Sequence, residues 1–222
     1  MTNFAGIGKS GQNWLVNQIT SWVASKNFDA EPGKPIAILL HGYGSNEKDL
    51  PDIMGFLPEI PWLSPRAPEK SPHGGNAWFQ ITSPGNPSEA LVAPSTESLW
   101  AWIDDNIPES CPIVAIGFSQ GGLMATQLLR TRPERLAATI ILAGFTQAAA
   151  QPGDDYLRSN KPSVIYCRGL QDGVITADAV ARTNAWLQAH TKARTFTYPG
   201  LGHSIDQRVM ADAAAYLQSV LA

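Results

Sequence analysis

The stretch Gly117-Phe118-Ser119-Gln120-Gly121-Gly122 constrains this chain more than any other. It follows the apolar run Ile113-Val114-Ala115-Ile116 and precedes Leu123-Met124-Ala125-Thr126-Gln127-Leu128-Leu129, so a buried strand is expected to turn at once into a helix. A serine between glycines at such a junction sits on a turn too tight for side chains at its flanks, which leaves its hydroxyl exposed at the strand end. Ser119 is therefore read as a nucleophile. A small-residue turn without chemistry has the same pattern; a base, an acid and an oxyanion hole elsewhere in the chain would separate the two.

The runs Ile36-Ala37-Ile38-Leu39-Leu40, Thr139-Ile140-Ile141-Leu142-Ala143 and Ser163-Val164-Ile165-Tyr166-Cys167 are apolar throughout, as in strands covered on both faces. Thr195-Phe196-Thr197-Tyr198 alternates as a last strand. Helical patterns lie between them. Ser95-Thr96-Glu97-Ser98 reads as the cap of a helix burying Leu99, Trp102, Ile103 and Ile107, with Pro108 closing it. Asp178 to His190 is amphipathic, and Ile205 to Ala222 turns Val209, Ala213, Tyr216, Leu217 and Val220 inward. Alternation at this spacing implies βαβ units: an α/β fold with a mostly parallel central sheet, helices on both faces, and too little chain between strands for a large cap domain.

Upstream, Asn13 to Val23 places Leu15, Ile19 and Trp22 on one face with Val16 and Val23 beside them, which favours an amphipathic helix. Gly6-Ile7-Gly8-Lys9-Ser10 resembles the tail of a phosphate-binding loop, but it lacks the first glycine of that motif and a preceding strand. Glu47-Lys48-Asp49-Leu50 reads as the start of a helix covering Ile53, Met54, Phe56 and Leu57. Between Pro58 and Pro94 the chain is rich in Pro, Gly, Ser and aromatic residues, as in irregular surface loops. Within it Trp78 and Phe79 either plug the core or wall a pocket for an apolar acyl or alcohol group.

Partners for Ser119 follow from position. Arg168-Gly169-Leu170-Gln171-Asp172-Gly173 leaves the strand at 163–167, and an acid on that turn can orient a histidine further along the chain. Asp172 is the expected acid; an Asp-Gly turn is its bland reading, and Asp154-Asp155 is a second acidic site that follows no strand. Pro199-Gly200-Leu201-Gly202-His203-Ser204 leaves the last strand, making His203 the expected base. His190 sits at a helix C-terminus, where the dipole explains it, and His73 lies in the Pro/Gly segment. His41-Gly42-Tyr43-Gly44-Ser45-Asn46 leaves the strand at 36–40 on a turn that can aim the Tyr43 N–H at a carbonyl oxygen, with His41 fixing the loop.

With 222 residues, one domain is expected over 1–222, with 1–33 as an N-terminal extension packed on or near it. Sixteen Lys and Arg against nineteen Asp and Glu leave a net charge of -3, which provides no electrostatic footprint for nucleic acid. Cys111 and Cys167 read as reduced thiols near the core. The opening Met1-Thr2-Asn3-Phe4-Ala5-Gly6 lacks a basic stretch followed by an apolar one, and nothing approaches the roughly 20 apolar residues of a membrane span. A cytoplasmic chain acting on small molecules, without stable membrane insertion, is expected; a homodimer is left open.

Taken together, the chain resembles the phospholipase/carboxylesterase family of α/β-hydrolases from about Ile36 to its C-terminus. The resemblance rests on Leu40-His41-Gly42-Tyr43-Gly44-Ser45-Asn46-Glu47-Lys48-Asp49-Leu50, Pro65-Arg66-Ala67-Pro68, Ala77-Trp78-Phe79, the Ser119 stretch, Gly169-Leu170-Gln171-Asp172 and Gly202-His203. It implies the α/β-hydrolase fold, a Ser119, His203 and Asp172 triad, an oxyanion hole formed by the N–H groups of Tyr43 and Gln120, and no metal or organic cofactor. The chain departs from the family at Arg168, where a histidine is usual, and over its first 33 residues.

The implied activity is hydrolysis of carboxylic esters through a covalent acyl-enzyme. Phe118 and Met54 join Trp78 and Phe79 as expected substrate-binding residues. Alternatives are an acyl-protein thioesterase or lysophospholipase acting on long acyl chains, with Met54, Phe56 and Leu57 near the site; a peptidase; a dienelactone-type hydrolase, disfavoured because the elbow lacks a cysteine; and a hydrolase-fold binding protein without catalysis.

Overall fold

The computed structural model describes residues 18–222 apart from Asn27. The elements run β1 (Trp22–Ala24), β2 (Ile36–Leu40), a 3₁₀ turn (Pro51–Phe56), β3 (Trp62–Pro65), β4 (Glu69–Lys70), β5 (Asn76–Ala77), α1 (Glu89–Asn106), β6 (Ile113–Phe118), α2 (Gln120–Thr131), a 3₁₀ turn (Pro133–Arg135), β7 (Leu136–Leu142), α3 (Asp154–Asn160), β8 (Ser163–Gly169), α4 (Ala177–His190), β9 (Lys192–Tyr198) and α5 (Gln207–Leu221). The main sheet has the order β1-β3-β2-β6-β7-β8-β9, parallel throughout except where β1 pairs antiparallel with β3. β4 and β5 form a small separate ribbon.

Strand periodicity decides which helix covers which face. In β2 all five residues are fully buried, because alternate side chains meet different layers. Ile36, Ile38 and Leu40 pack with Leu99 and Ile103 of α1 and Leu123 and Leu128 of α2. Ala37 and Leu39 face the other way, among Val209, Ala213 and Leu217 of α5. On the α1/α2 side, Val164 and Tyr166 of β8 lie against Trp186 and Leu187 of α4. Helices thus cover both faces, and the central strands are largely apolar.

The elements differ from the sequence expectations in several places. Trp22 and Val23 belong to a strand, not to a helix over Asn13–Val23: Trp22, Val23 and Ala24 pair with Pro65, Ser64 and Leu63, so a tertiary ladder overrides the local pattern. Part of the expected N-terminal extension is therefore a strand of the main sheet. The residues before position 18 in that expected helix, and the Gly6–Ser10 segment, lie outside the described residues. Glu47–Leu50 starts no helix; a 3₁₀ turn begins only at Pro51, and Phe56 there is exposed.

Ser95–Ser98 is no cap. α1 begins six residues earlier at Glu89 and carries Pro94 within it. The Ser95 hydroxyl donates out of the helix to the Trp78 carbonyl at 2.5 Å, and Thr96 donates to the Val92 carbonyl one turn earlier at 2.9 Å, the back-bonding alternative open to such residues inside helices. The Pro/Gly-rich span expected to be irregular also contains β3, set between β1 and β2. Cys111 and Cys167 are buried free thiols, and burial pushes the Cys167 thiol up to about 12. Among the described residues no helix is long and apolar enough to cross a membrane.

Candidate active site

The turn after β6 is as tight as its glycines imply. A Cβ on Gly117 would lie 2.0 Å from the Gly121 carbonyl oxygen, and one on Gly121 would lie 1.8 Å from the carbonyl oxygen of Leu40. Only hydrogen fits at either place, so α2 starts directly against β2 and β6. Between them Ser119 has φ +55° and ψ -117°, a sparsely populated conformation costing on the order of 1–3 kcal/mol. Its N–H donates to the Leu142 carbonyl at 2.9 Å, and its own carbonyl accepts from the Gly122 N–H at 2.9 Å. These bonds hold the strained residue and turn its hydroxyl out of the sheet.

Loops leaving β8 and β9 bring Asp172 and His203 to that hydroxyl. His203 Nε2 lies 2.9 Å from Ser119 Oγ, and its Nδ1 lies 2.8 Å from Asp172 Oδ2. The Asp172 side chain is fully buried, and its Oδ1 accepts from the Val174 and Ile175 N–H groups at 2.9 and 3.1 Å. Burial raises its pKa, but the His203 hydrogen bond and these two N–H groups outweigh it, and the carboxyl ends below its usual range. A carboxylate there keeps the proton on Nδ1, leaving Nε2 free to accept from the serine. This geometry allows an imidazole to take a proton from a hydroxyl.

Gly42 and Tyr43 line the same cavity as that hydroxyl, and a Cβ on Gly42 would lie 3.5 Å from the Ser119 Cβ. His41 fixes their loop from below. Its Nε2 accepts the Ala67 N–H at 3.0 Å, so Nδ1 carries the proton and donates to the Gly42 carbonyl at 2.7 Å. Burial is the main reason its pKa is lowered, which keeps this neutral tautomer. The Trp78 indole N–H donates to the His41 carbonyl at 2.9 Å, and Gly44 and Asn76 bond backbone to backbone at 2.8 Å. Below the loop Glu47 meets Arg66 through paired bonds of 2.5 and 2.6 Å, which lower the Glu47 pKa to about 2. Gln120 occupies the first position of α2, where a helix leaves the backbone N–H without an intrahelical partner.

A cavity of about 420 Å³ opens beside Ser119. Its wall is apolar, built by Phe79, Ile81, Phe118, Phe145, Val174 and Ile175 among others. Phe118 also lies 4.9 Å from the His203 ring, centre to centre. Of the residues expected to bind substrate, Phe79 and Phe118 are on this wall. Trp78 is not: it is fully buried, with its indole spent on His41. Met54 is not either, because the 3₁₀ turn carries it to a separate hollow beside Pro58 and Trp62. Asp154, the second acidic candidate, is gripped by Arg130 at 2.9 and 2.7 Å, away from Ser119. Among the described residues no cluster of three His, Cys, Asp or Glu side chains is placed to hold a metal ion.

Several contributors were not singled out from sequence. Val174 and Ile175 lie two and three residues after Asp172, and Phe145 lies three residues past the end of β7, so each sits where a strand delivers its loop to the site. The Gln120 side chain also works: Oε1 accepts from the Trp78 N–H at 2.9 Å and Nε2 donates to the Phe79 carbonyl at 2.7 Å.

Comparison with known proteins gives a consistent picture. The phospholipase/carboxylesterase family profile matches residues 22–221. A probable carboxylesterase of Oryza sativa subsp. japonica is 26% identical over 86% of this chain and 80% of its own. Acyl-protein thioesterase 1 of Kluyveromyces lactis is 26% identical over 90% of this chain and 96% of its own. The Bacillus cereus carboxylesterase structure shares the fold, with a TM-score of 0.75 at 20% identity, covering 94% of this chain and 96% of that one.

Proposed function

The chain belongs to the phospholipase/carboxylesterase family and is an esterase-type hydrolase, and on that footing we propose that it cleaves carboxylic esters through an acyl-enzyme on Ser119. The observation that carries this reading is the hydrogen-bonded line from Asp172 through His203 to Ser119 at the edge of an apolar cavity. His203 Nε2 takes the hydroxyl proton as Oγ attacks the ester carbonyl, and Asp172 holds the imidazole and stabilises its cation. The oxyanion is met by the N–H groups of Tyr43 and Gln120. Collapse of the tetrahedral intermediate breaks the ester C–O bond, and His203 gives its proton to the departing alcohol. Water, deprotonated by His203, then repeats the attack and releases the acid.

The cavity volume supports a short or medium acyl group, since about 420 Å³ is toward the small end of the roughly 300–1,000 Å³ of ligand pockets. Thioesters are a second class for the same machinery, favoured by the Kluyveromyces lactis relative named a thioesterase. The test is covalent labelling: a fluorophosphonate should modify Ser119 and no other residue, as read by peptide mass. Failure of the folded protein to react at Ser119 would remove the proposal.

A further inference from the structure

One wall of the cavity is formed by a stretch that has little to hold it. Ile81, Ser83, Pro84 and Asn86 are exposed, and a turn with the Asn86 N–H on the Ser83 carbonyl closes the stretch on itself. Pro87 at its end is buried, and a side-chain hydrogen bond ties the stretch to the rest of the protein at Gly85. There the carbonyl accepts from the Nη2 group of Arg182 on α4. The Arg182 Nε donates at 2.9 Å to the carbonyl of Thr146, the residue after Phe145. Thr146 is in turn fixed by its N–H on Thr183 Oγ1 at 2.9 Å. Ser83, Pro84, Gly85 and Phe145 line the cavity; Arg182 stands behind them and does not. Two walls from distant parts of the chain are therefore tied by one planar guanidinium, whose rigid fork suits two carbonyls at once. Gly85, at φ +70°, also lies so close to the N-terminal end of α4 that a Cβ would come within 2.3 Å of Thr176 Oγ1 and 3.1 Å of the Ala179 Cβ.

We propose that Arg182 is a positioning residue that sets the acyl-length preference of the site by clamping the wall at 81–87 against the wall at Phe145. This rests on the esterase reading of Ser119. Acetyl groups are too short to touch the clamped wall, butanoyl and octanoyl groups press on it, and longer chains are excluded by it. Without the clamp the wall swings out, medium chains lose contact and long chains gain room.

The experiment is steady-state hydrolysis of p-nitrophenyl acetate, butanoate, octanoate and dodecanoate by the wild-type chain, Arg182→Ala, Arg182→Lys and Gly85→Ala. In Arg182→Ala, KM for butanoate and octanoate should rise about tenfold, the scale on which a methylene contact discriminates, while kcat on them holds. The dodecanoate-to-butanoate ratio of kcat/KM should rise with it. Arg182→Lys, which keeps the cation but not the fork, should fall between. Gly85→Ala, which pushes the wall away from α4, should move the ratio in the same direction. An unchanged ratio in both Arg182→Ala and Gly85→Ala overturns the clamp, as does an equal fall of kcat at every chain length, which marks a purely structural arginine. A wild-type chain inactive on all four esters overturns the esterase reading itself, and the clamp with it.

Discussion

The side chain of Gln120 and the backbone of Trp78 share a buried hydrogen bond of 2.9 Å, so the residue after the nucleophile also holds the segment that walls the cavity. Its second bond, to the Phe79 carbonyl at 2.7 Å, completes a match to both exposed groups of a peptide edge. Gln120→Ala leaves that N–H and that carbonyl buried and unmet, at about 1–3 kcal/mol each. The variant should lose about 2–5 kcal/mol in urea unfolding. Its backbone N–H is untouched, so hydrolysis by the fraction that remains folded should fall much less than for a triad variant. Gln120→Glu should cost more still, because a carboxylate oxygen would face the Phe79 carbonyl.

Asp172 offers a test of tautomer control. In Asp172→Asn the carbonyl oxygen of the new amide can keep the Val174 and Ile175 N–H groups, and the fold should survive. Its NH₂ then points at His203 Nδ1, which must give up its proton to Nε2 and can no longer accept from Ser119. Turnover should drop by about 10⁴-fold with little change in thermal midpoint. Ester kinetics beside a melting curve check both halves.

The Glu47–Arg66 pair beneath the Tyr43 loop fixes a pH dependence of stability. Glu47 titrates near 2 in the folded chain against an ordinary 4.5, chiefly because Arg66 hydrogen-bonds its charged form. A folded pKa below the unfolded one stabilises above about 4.5, and that contribution is lost as pH falls through 4.5 toward 2. Arg66 is partly exposed, so solvent screening trims the effect. Glu47→Gln should be less stable than wild type at pH 7, and the gap in urea midpoint should shrink steadily below pH 4.5. A constant gap across that range would contradict the pairing.

The parts of this account that were legible in the sequence share one physical cause. Ile36–Leu40, Ile113–Ile116, Thr139–Ala143 and Ser163–Cys167 are covered on both faces, so apolarity alone marks them, and each delivers a loop at its C-terminal end. Asp172 and His203 could be chosen because they follow such strands. What was not legible depends on tertiary partners. Trp22–Ala24 is three residues long and becomes a strand only by pairing with β3. The Ser95 hydroxyl looks like a cap until the Trp78 carbonyl is beside it. Trp78 and Phe79 are neighbours of the same type, yet one is spent on His41 and the other lines the cavity, a division that alternation in an irregular segment does not reveal. Met54 is expected near the site, and the 3₁₀ turn takes it to a separate hollow.

The most direct test of the central claim is the rate of p-nitrophenyl butanoate hydrolysis by Ser119→Ala. The small side chain should fit the turn, and the protein should melt as a folded chain. Its kcat/KM should fall by at least about 10³-fold, since the remaining oxyanion donors and His203 have no nucleophile to serve. Retention of wild-type hydrolysis by the folded variant would contradict the account.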